Sequence, residues 1–188
     1  MPGRFRRCAV PWLLGLSAAL APWGAVGVMA APCPGLPADA PAKDLVQAAF
    51  ARLETPSATP QAAREAAFCL EAAFAAGDPG AAAARGQLAA SGRAGPVDPT
   101  LAAHWYLQAA KAGSPQGHLA LGLALARGEG LPRDPYWAYW RLGRAMALPG
   151  LTAAERELAG REAAAVAAQL SPAERTAIEA NLAPPAAP

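Results

Sequence analysis

Two stretches decide how this chain folds: RGQLAASGRAGPVDPTLAAHWYLQAAKAG, residues 85–113, and LGLALARGEGLPRDPYWAYWRLGRAMALPG, residues 121–150. Laid together without a gap, they match at a single offset of 36 residues. Gly86 falls on Gly122, Gly92 on Gly128, Pro96 on Pro132, Asp98 on Asp134, Pro99 on Pro135, Ala102 on Ala138 and Ala109 on Ala145. A fixed period of this length marks a repeat architecture, in which one supersecondary unit stacks on the next. Each part of the unit has a physical task. Gly92 or Gly128 ends a helix in the left-handed conformation. A Gly/Pro loop follows, and then Asp98 or Asp134 caps a second helix whose first position is Pro99 or Pro135. That helix carries Ala102, Trp105, Tyr106, Ala109 and Ala110 at helical spacing. Its small residues let a neighbouring helix come close. Each unit is therefore a helix, a loop and a helix.

Composition agrees with this reading. The chain is rich in Ala, with Leu, Glu, Gln and Arg, and poor in β-branched residues, which favours helix. No run alternates apolar and polar residues, so an all-α fold without a sheet is expected. The amino terminus reads differently. Arg4, Arg6 and Arg7 precede an uncharged apolar stretch from about Ala9 to Met29, and Val28-Met29-Ala30 is a small-x-small site. This is the pattern of a secretory signal peptide cleaved after Ala30, which places the mature protein in the periplasm or outside the cell. The alternative is an uncleaved membrane anchor, against which Pro22 and several Gly and Ala residues weigh. A lipoprotein is disfavoured, because Pro32 precedes Cys33. Without residues 1–30, which hold three arginines and no acid, 13 basic residues face 14 acidic ones. The net charge then moves from +2 to −1. The basic character belongs to the leader, and nucleic acid is not an expected partner. Cys8 leaves with the leader. Cys33 and Cys69 either pair in an oxidising compartment, pinning the N-terminus to a helix, or remain two free thiols.

The repeat residues resemble the Sel1-like repeat family, a relative of the tetratricopeptide repeat. Its pattern runs roughly LG, a G-x-G-V-x-x-D loop, and A-x-x-W-Y-x-x-A-A-x-x-G. The first clear copy offers Gly86, Gly92, Asp98, Ala102, Trp105, Tyr106, Ala109, Ala110 and Gly113. The second offers Leu121, Gly122, Gly128, Gly130, Asp134, Ala138, Leu142 and Ala145. The resemblance implies a short right-handed α-solenoid of helix-turn-helix repeats with a C-terminal helical cap. The expected division is a signal peptide over 1–30, a flexible Pro/Ala-rich segment over 31–43, and a degenerate repeat over 44–77. Repeats follow over 78–113 and 114–150, with capping helices and a tail over 151–188. Ser171-Pro172 with Glu174 is a capping box that starts the last helix.

Motifs of chemistry are missing from the sequence. There is no H-E-x-x-H, C-x-x-C, S-x-x-K or G-x-S-x-G. The only histidines, His104 and His118, read as exposed or half-exposed positions, so no metal site and no cofactor are expected. Asp98 and Asp134 are explained as N-caps, and Gly128-x-Gly130 as a helix-ending turn. The charged residues Glu155, Arg156, Glu157, Arg161 and Glu162 read as a solvated helix face. The resemblance implies a non-catalytic adaptor or scaffold of the bacterial envelope, binding a protein or peptide through its helical surface. Two alternatives come from other classes: an envelope enzyme acting on peptidoglycan or β-lactams, and a membrane-anchored structural subunit.

The second repeat departs from the pattern at DPYWAYWR, residues 134–141, where Tyr136, Trp137, Tyr139 and Trp140 crowd together. In the ungapped register, Arg141 stands at the family's Trp position, opposite Trp105, and Leu142 stands opposite Tyr106. A shift by one would place Trp140 there, but would also put Arg144 at the small Ala109 position, where a charge is costly to bury. With the register kept, Trp137, Trp140 and Arg144 share a face away from Ala138, Leu142 and Ala145. Together with Tyr136 they have the composition of a binding hot spot. The competing expectation is that this face packs beneath the helix beginning near Leu151.

Overall fold

The structure is a computed structural model that describes residues 33–54 and 59–182. Among these residues there are eight helices and no strands. They are α1 (Ala42–Leu53), α2 (Pro60–Ala75), α3 (Pro79–Ser91), α4 (Pro99–Lys111), α5 (Pro115–Arg127), α6 (Pro135–Ala147), α7 (Ala153–Ala167) and α8 (Pro172–Leu182). Helices α1 to α7 each pack on their sequence neighbours, α3 and α7 each also touch α5, and α8 folds back onto α6. The result is a short α-solenoid. Its inner face is formed by the first helix of each unit and its outer face by the second. The signal-like stretch of residues 1–30 lies outside the described residues. Among those described, no helix is long and apolar enough to cross a membrane.

Local chemistry sets the helix ends. Helices α2 to α6 all begin with a polar cap followed by proline at the first turn. The caps are Thr59, Asp78, Asp98, Ser114 and Asp134, and each accepts from a backbone N–H of that turn. Such a cap stabilises a helix by about 1 kcal/mol, and proline there forfeits no hydrogen bond. Asp98 accepts from Leu101 N at 2.9 Å, and Asp134 from Trp137 N at 3.0 Å. At the other ends, Gly92 and Gly128 close α3 and α5 with φ of +68° and +76°. The Ser171–Glu174 capping box is present: Ser171 N donates to Glu174 Oε2 at 2.8 Å and Glu174 N to Ser171 Oγ at 3.3 Å. A second box, Thr152 with Glu155, starts α7.

Packing repeats at the same period. A Cβ on Gly86 would stand 2.5 Å from Tyr106 Cε1, and one on Gly122 would stand 2.9 Å from Leu142 Cγ. Each glycine is thus the socket for the large side chain of the partner helix, and Leu142 does in its unit what Tyr106 does in the preceding one. Ala109, Ala138, Leu142 and Ala145 are fully buried, and Ala102 nearly so. The ungapped register therefore describes the packing.

Two expectations need correction. The segment over 31–43 is not a loose leader from Cys33 onward. Cys33 and Ala40 are buried, Cys33 is bonded to Cys69, and the Arg52 guanidinium donates to the Pro34 carbonyl. The bond and the small apolar cluster around it hold this stretch against α1 and α2. His118, read as exposed or half-exposed, is only 5% exposed. It occupies the place that Ala82 holds one unit earlier, on the side of α5 pressed against α6.

Candidate functional site

The three gaps between successive second helices are filled differently. Between α2 and α4 the filler is Trp105, whose ring meets Phe74 edge-on at 6.2 Å and lies beneath the Arg85 guanidinium. Between α6 and α8, Leu182 enters the space opposite Gly143, and Tyr139 Oη donates to Glu179 Oε1 at 2.9 Å. Between α4 and α6 the residue equivalent to Trp105 is Arg141, and among the described residues no side chain fills the space. A groove of about 370 Å³ remains there.

Each wall is a stripe at helical spacing. From α4 come Ala103, His104 and Leu107; α5 gives a floor of Leu121 and Leu125; α6 adds Trp137 and Arg141. The α5–α6 loop closes one end with Gly130 and Leu131. Gly130 packs so tightly on the start of α4 that a Cβ would stand 2.0 Å from the Pro99 carbonyl oxygen. The lining is mostly apolar and the groove is open to solvent along its length.

The residues singled out in the sequence divide among three settings. Tyr136, Trp137 and Trp140 do form one aromatic run: Trp137 meets Tyr136 and Trp140 edge-on, each at 5.8 Å. Only Trp137, 49% exposed, lines the groove. Trp140 is half-buried, its ring 5.9 Å from that of His118 and 4.9 Å from the Arg141 guanidinium. Arg144 is exposed beside them. Packing of this face beneath the helix beginning near Leu151 does not occur. The face of α6 that meets α7 and α8 carries Tyr139, Gly143 and Met146 instead. Arg141, His104 and Leu107 were not legible as site residues. Their one sequence signal was that arginine replaces tryptophan at position 141.

Electrostatics around Trp140 are one-sided. Burial pushes the His118 imidazole down to about 4, and the neighbouring Arg141 and Arg144 guanidiniums push the same way. His118 Nδ1 and Arg141 Nε are buried without a hydrogen-bond partner. Burial also lowers Arg141 from its ordinary value. Neither Arg141 nor Arg144 forms an ion pair among the described residues, whereas Arg85 pairs with Glu71 and Arg127 with Glu162.

The inner face offers a second depression of about 310 Å³ along α1, α3, α5 and α7, with Phe50 43% exposed. Most of its polar groups already serve the fold. Asp78 caps α3, Glu155 completes the Thr152 box, and Gln116 donates to the Gly150 carbonyl at 2.8 Å. The charged stripe on α7 is likewise engaged locally, with Glu157 accepting from Arg161 at 2.6 Å. Among the described residues no three His, Cys, Asp or Glu side chains converge to hold a metal ion.

No family model and no curated protein matches the chain. Solved structures do. One is c5321, a protective antigen present in uropathogenic Escherichia coli strains displaying an SLR fold. The TM-score is 0.64 at 18% identity, over 73% of this chain and 28% of that one. The present chain thus spans little more than a quarter of that protein's length. A Sel1 repeat protein from Oxalobacter formigenes is also similar, with a TM-score of 0.52 at 25% identity, over 64% of this chain and 88% of that one. With the 36-residue period and the packing of α1 to α7 each on the next, the chain has the α-solenoid fold of Sel1-like repeat proteins.

Proposed function

We propose that this protein is a non-catalytic binding module of the bacterial envelope that takes an extended segment of a partner protein in the α4–α6 groove. The observation that carries the reading is the unfilled gap itself: the packing tryptophan of the repeat is replaced by Arg141, and Trp137 stands half-exposed at the rim. Helical-repeat folds commonly serve protein interaction through such extended surfaces. An exposed aromatic beside an arginine over an apolar floor has the composition of an interface core. Export rests on the N-terminal pattern of Arg4, Arg6 and Arg7, the apolar stretch and Val28-Met29-Ala30. The anchored-subunit alternative draws on the same apolar stretch, against which Pro22 and the small Val28-Met29-Ala30 site weigh, and the envelope-enzyme alternative has no nucleophile motif in the sequence.

Affinity capture from the envelope fraction tests this with three forms of the mature chain. The wild type and Phe50→Ala, which alters only the inner face, are expected to retain the same partner. Trp137→Ala is expected to lose it while keeping its helical signal. Loss with Phe50→Ala, or retention by all three, would refute the groove. N-terminal sequencing of the exported protein is expected to begin at Ala31; an intact Met1 would favour the anchored subunit.

A further inference from the structure

We infer that the α4–α6 groove selects a segment in which an apolar residue is followed two positions later by an acidic side chain. The inference rests on the groove being the binding site, and it adds what the groove recognises. Arg141 and Arg144 lie three residues apart on α6 and both press their charge on His118. No acid neutralises either among the described residues, and the undescribed residues contain no Asp or Glu. Arg141 is half-buried, with its Nε cut off from solvent and unbonded. A guanidinium in that state is unfavourable in the free protein, because it has lost water and gained only the face of Trp140. A carboxylate entering the groove would supply what is missing, through the bidentate geometry that arginine favours.

The spacing follows from the helix. Trp137 and Arg141 are four residues apart, which is about 6 Å along the axis. An extended peptide presents side chains to one face every ~6.7 Å. An apolar side chain set against Trp137, Leu125 and Leu131 at the closed end thus places the residue two further on beside Arg141 and within reach of Arg144. The charge complementarity would speed association and fix the direction of the segment.

The test uses the mature wild-type chain and a displayed library of random eight-residue peptides. Enriched peptides are expected to carry the apolar-x-acidic pair. Changing their Asp or Glu to Asn or Gln is expected to weaken binding about tenfold. The double variant Arg141→Gln/Arg144→Gln is expected to lose the acid preference, and Arg141→Lys/Arg144→Lys to keep most of it, which separates charge from fold. Enriched peptides lacking the acid, yet lost with Trp137→Ala, would overturn this inference and leave the groove standing. No enrichment, or enrichment indifferent to Trp137→Ala, would overturn both. A free protein that is dimeric and becomes monomeric with Trp137→Asp would assign the groove to a second copy and sink the proposal.

Discussion

The contact between Gly122 and Leu142 is the sharpest place to test the repeat register. Leu142→Ala removes a fully buried side chain, at an expected cost of about 3–4 kcal/mol. Gly122→Ala sets two effects against each other. It gains about 1 kcal/mol of helix propensity. It also places a Cβ 2.9 Å from Leu142 Cγ and 3.0 Å from Cδ2, overpacking worth about 2 kcal/mol. The single variant therefore loses about 1 kcal/mol. With Leu142 already truncated, the overpacking vanishes and the new methyl fills part of the cavity. The double variant is then expected to lose about 2–3 kcal/mol, rather than the 4–5 of the separate losses, a coupling near 2 kcal/mol. At about 2–4 °C per kcal/mol for a chain of this size, it melts about 4–8 °C above the additive value. Urea titration of all four forms by far-UV circular dichroism measures the cycle. Additivity within about 0.5 kcal/mol would mean that the two residues do not touch. The ungapped register would then be wrong, and with it the placing of Arg141 at the Trp105 position.

Three further outcomes are expected. Arg141→Trp restores the pattern of the preceding unit; it is expected to raise the urea midpoint by closing the groove and removing an unpaired charge, and to abolish partner binding. His118 has a folded value of about 4, below its unfolded value near 6.5, so its neutral form stabilises the fold above pH 6.5. That contribution, about 2–3 kcal/mol at most, is lost as pH falls from 6.5 towards 4. His118→Gln is expected to flatten this part of the stability–pH curve. Reduction of Cys33–Cys69, or Cys33→Ser with Cys69→Ser, opens a 36-residue separation and is expected to cost about 3–4 kcal/mol, on the order of 10 °C in melting temperature. Non-reducing mass spectrometry reports the bond, and an unchanged melting temperature would show that the N-terminal stretch is held without it.

Most of the fold was legible because its determinants are local and are written more than once. Asp98-Pro99 and Asp134-Pro135 each start a helix by bonds that reach only three residues ahead. Gly92 and Gly128 each end one by a backbone conformation of their own. The second copy also shows that Gly86 and Gly122 stay small at one period, and the structure supplies the reason in Tyr106 and Leu142. The site was legible only in part. DPYWAYWR stood out as the departure from the repeat, and the structure divides its four candidate residues between different surroundings. Trp137 lines the groove, while Trp140 turns in upon His118. A helical wheel places residues on a face without telling which neighbour covers it. That Tyr139 and Gly143 lie under α8, leaving Trp137 and Arg141 uncovered, depends on where the capping helix comes to rest.

By itself, then, the sequence determined the unit: its period, its caps, its turns and the small residues at its contacts. These follow from backbone hydrogen bonding and sterics within a few residues, repeated at a fixed interval. The tertiary structure alone decided the burial of His118, the pairing of Cys33 with Cys69 and the open space between α4 and α6. Each of these depends on which surfaces meet across one repeat or more, and on whether a side chain of the right volume is present to fill the gap.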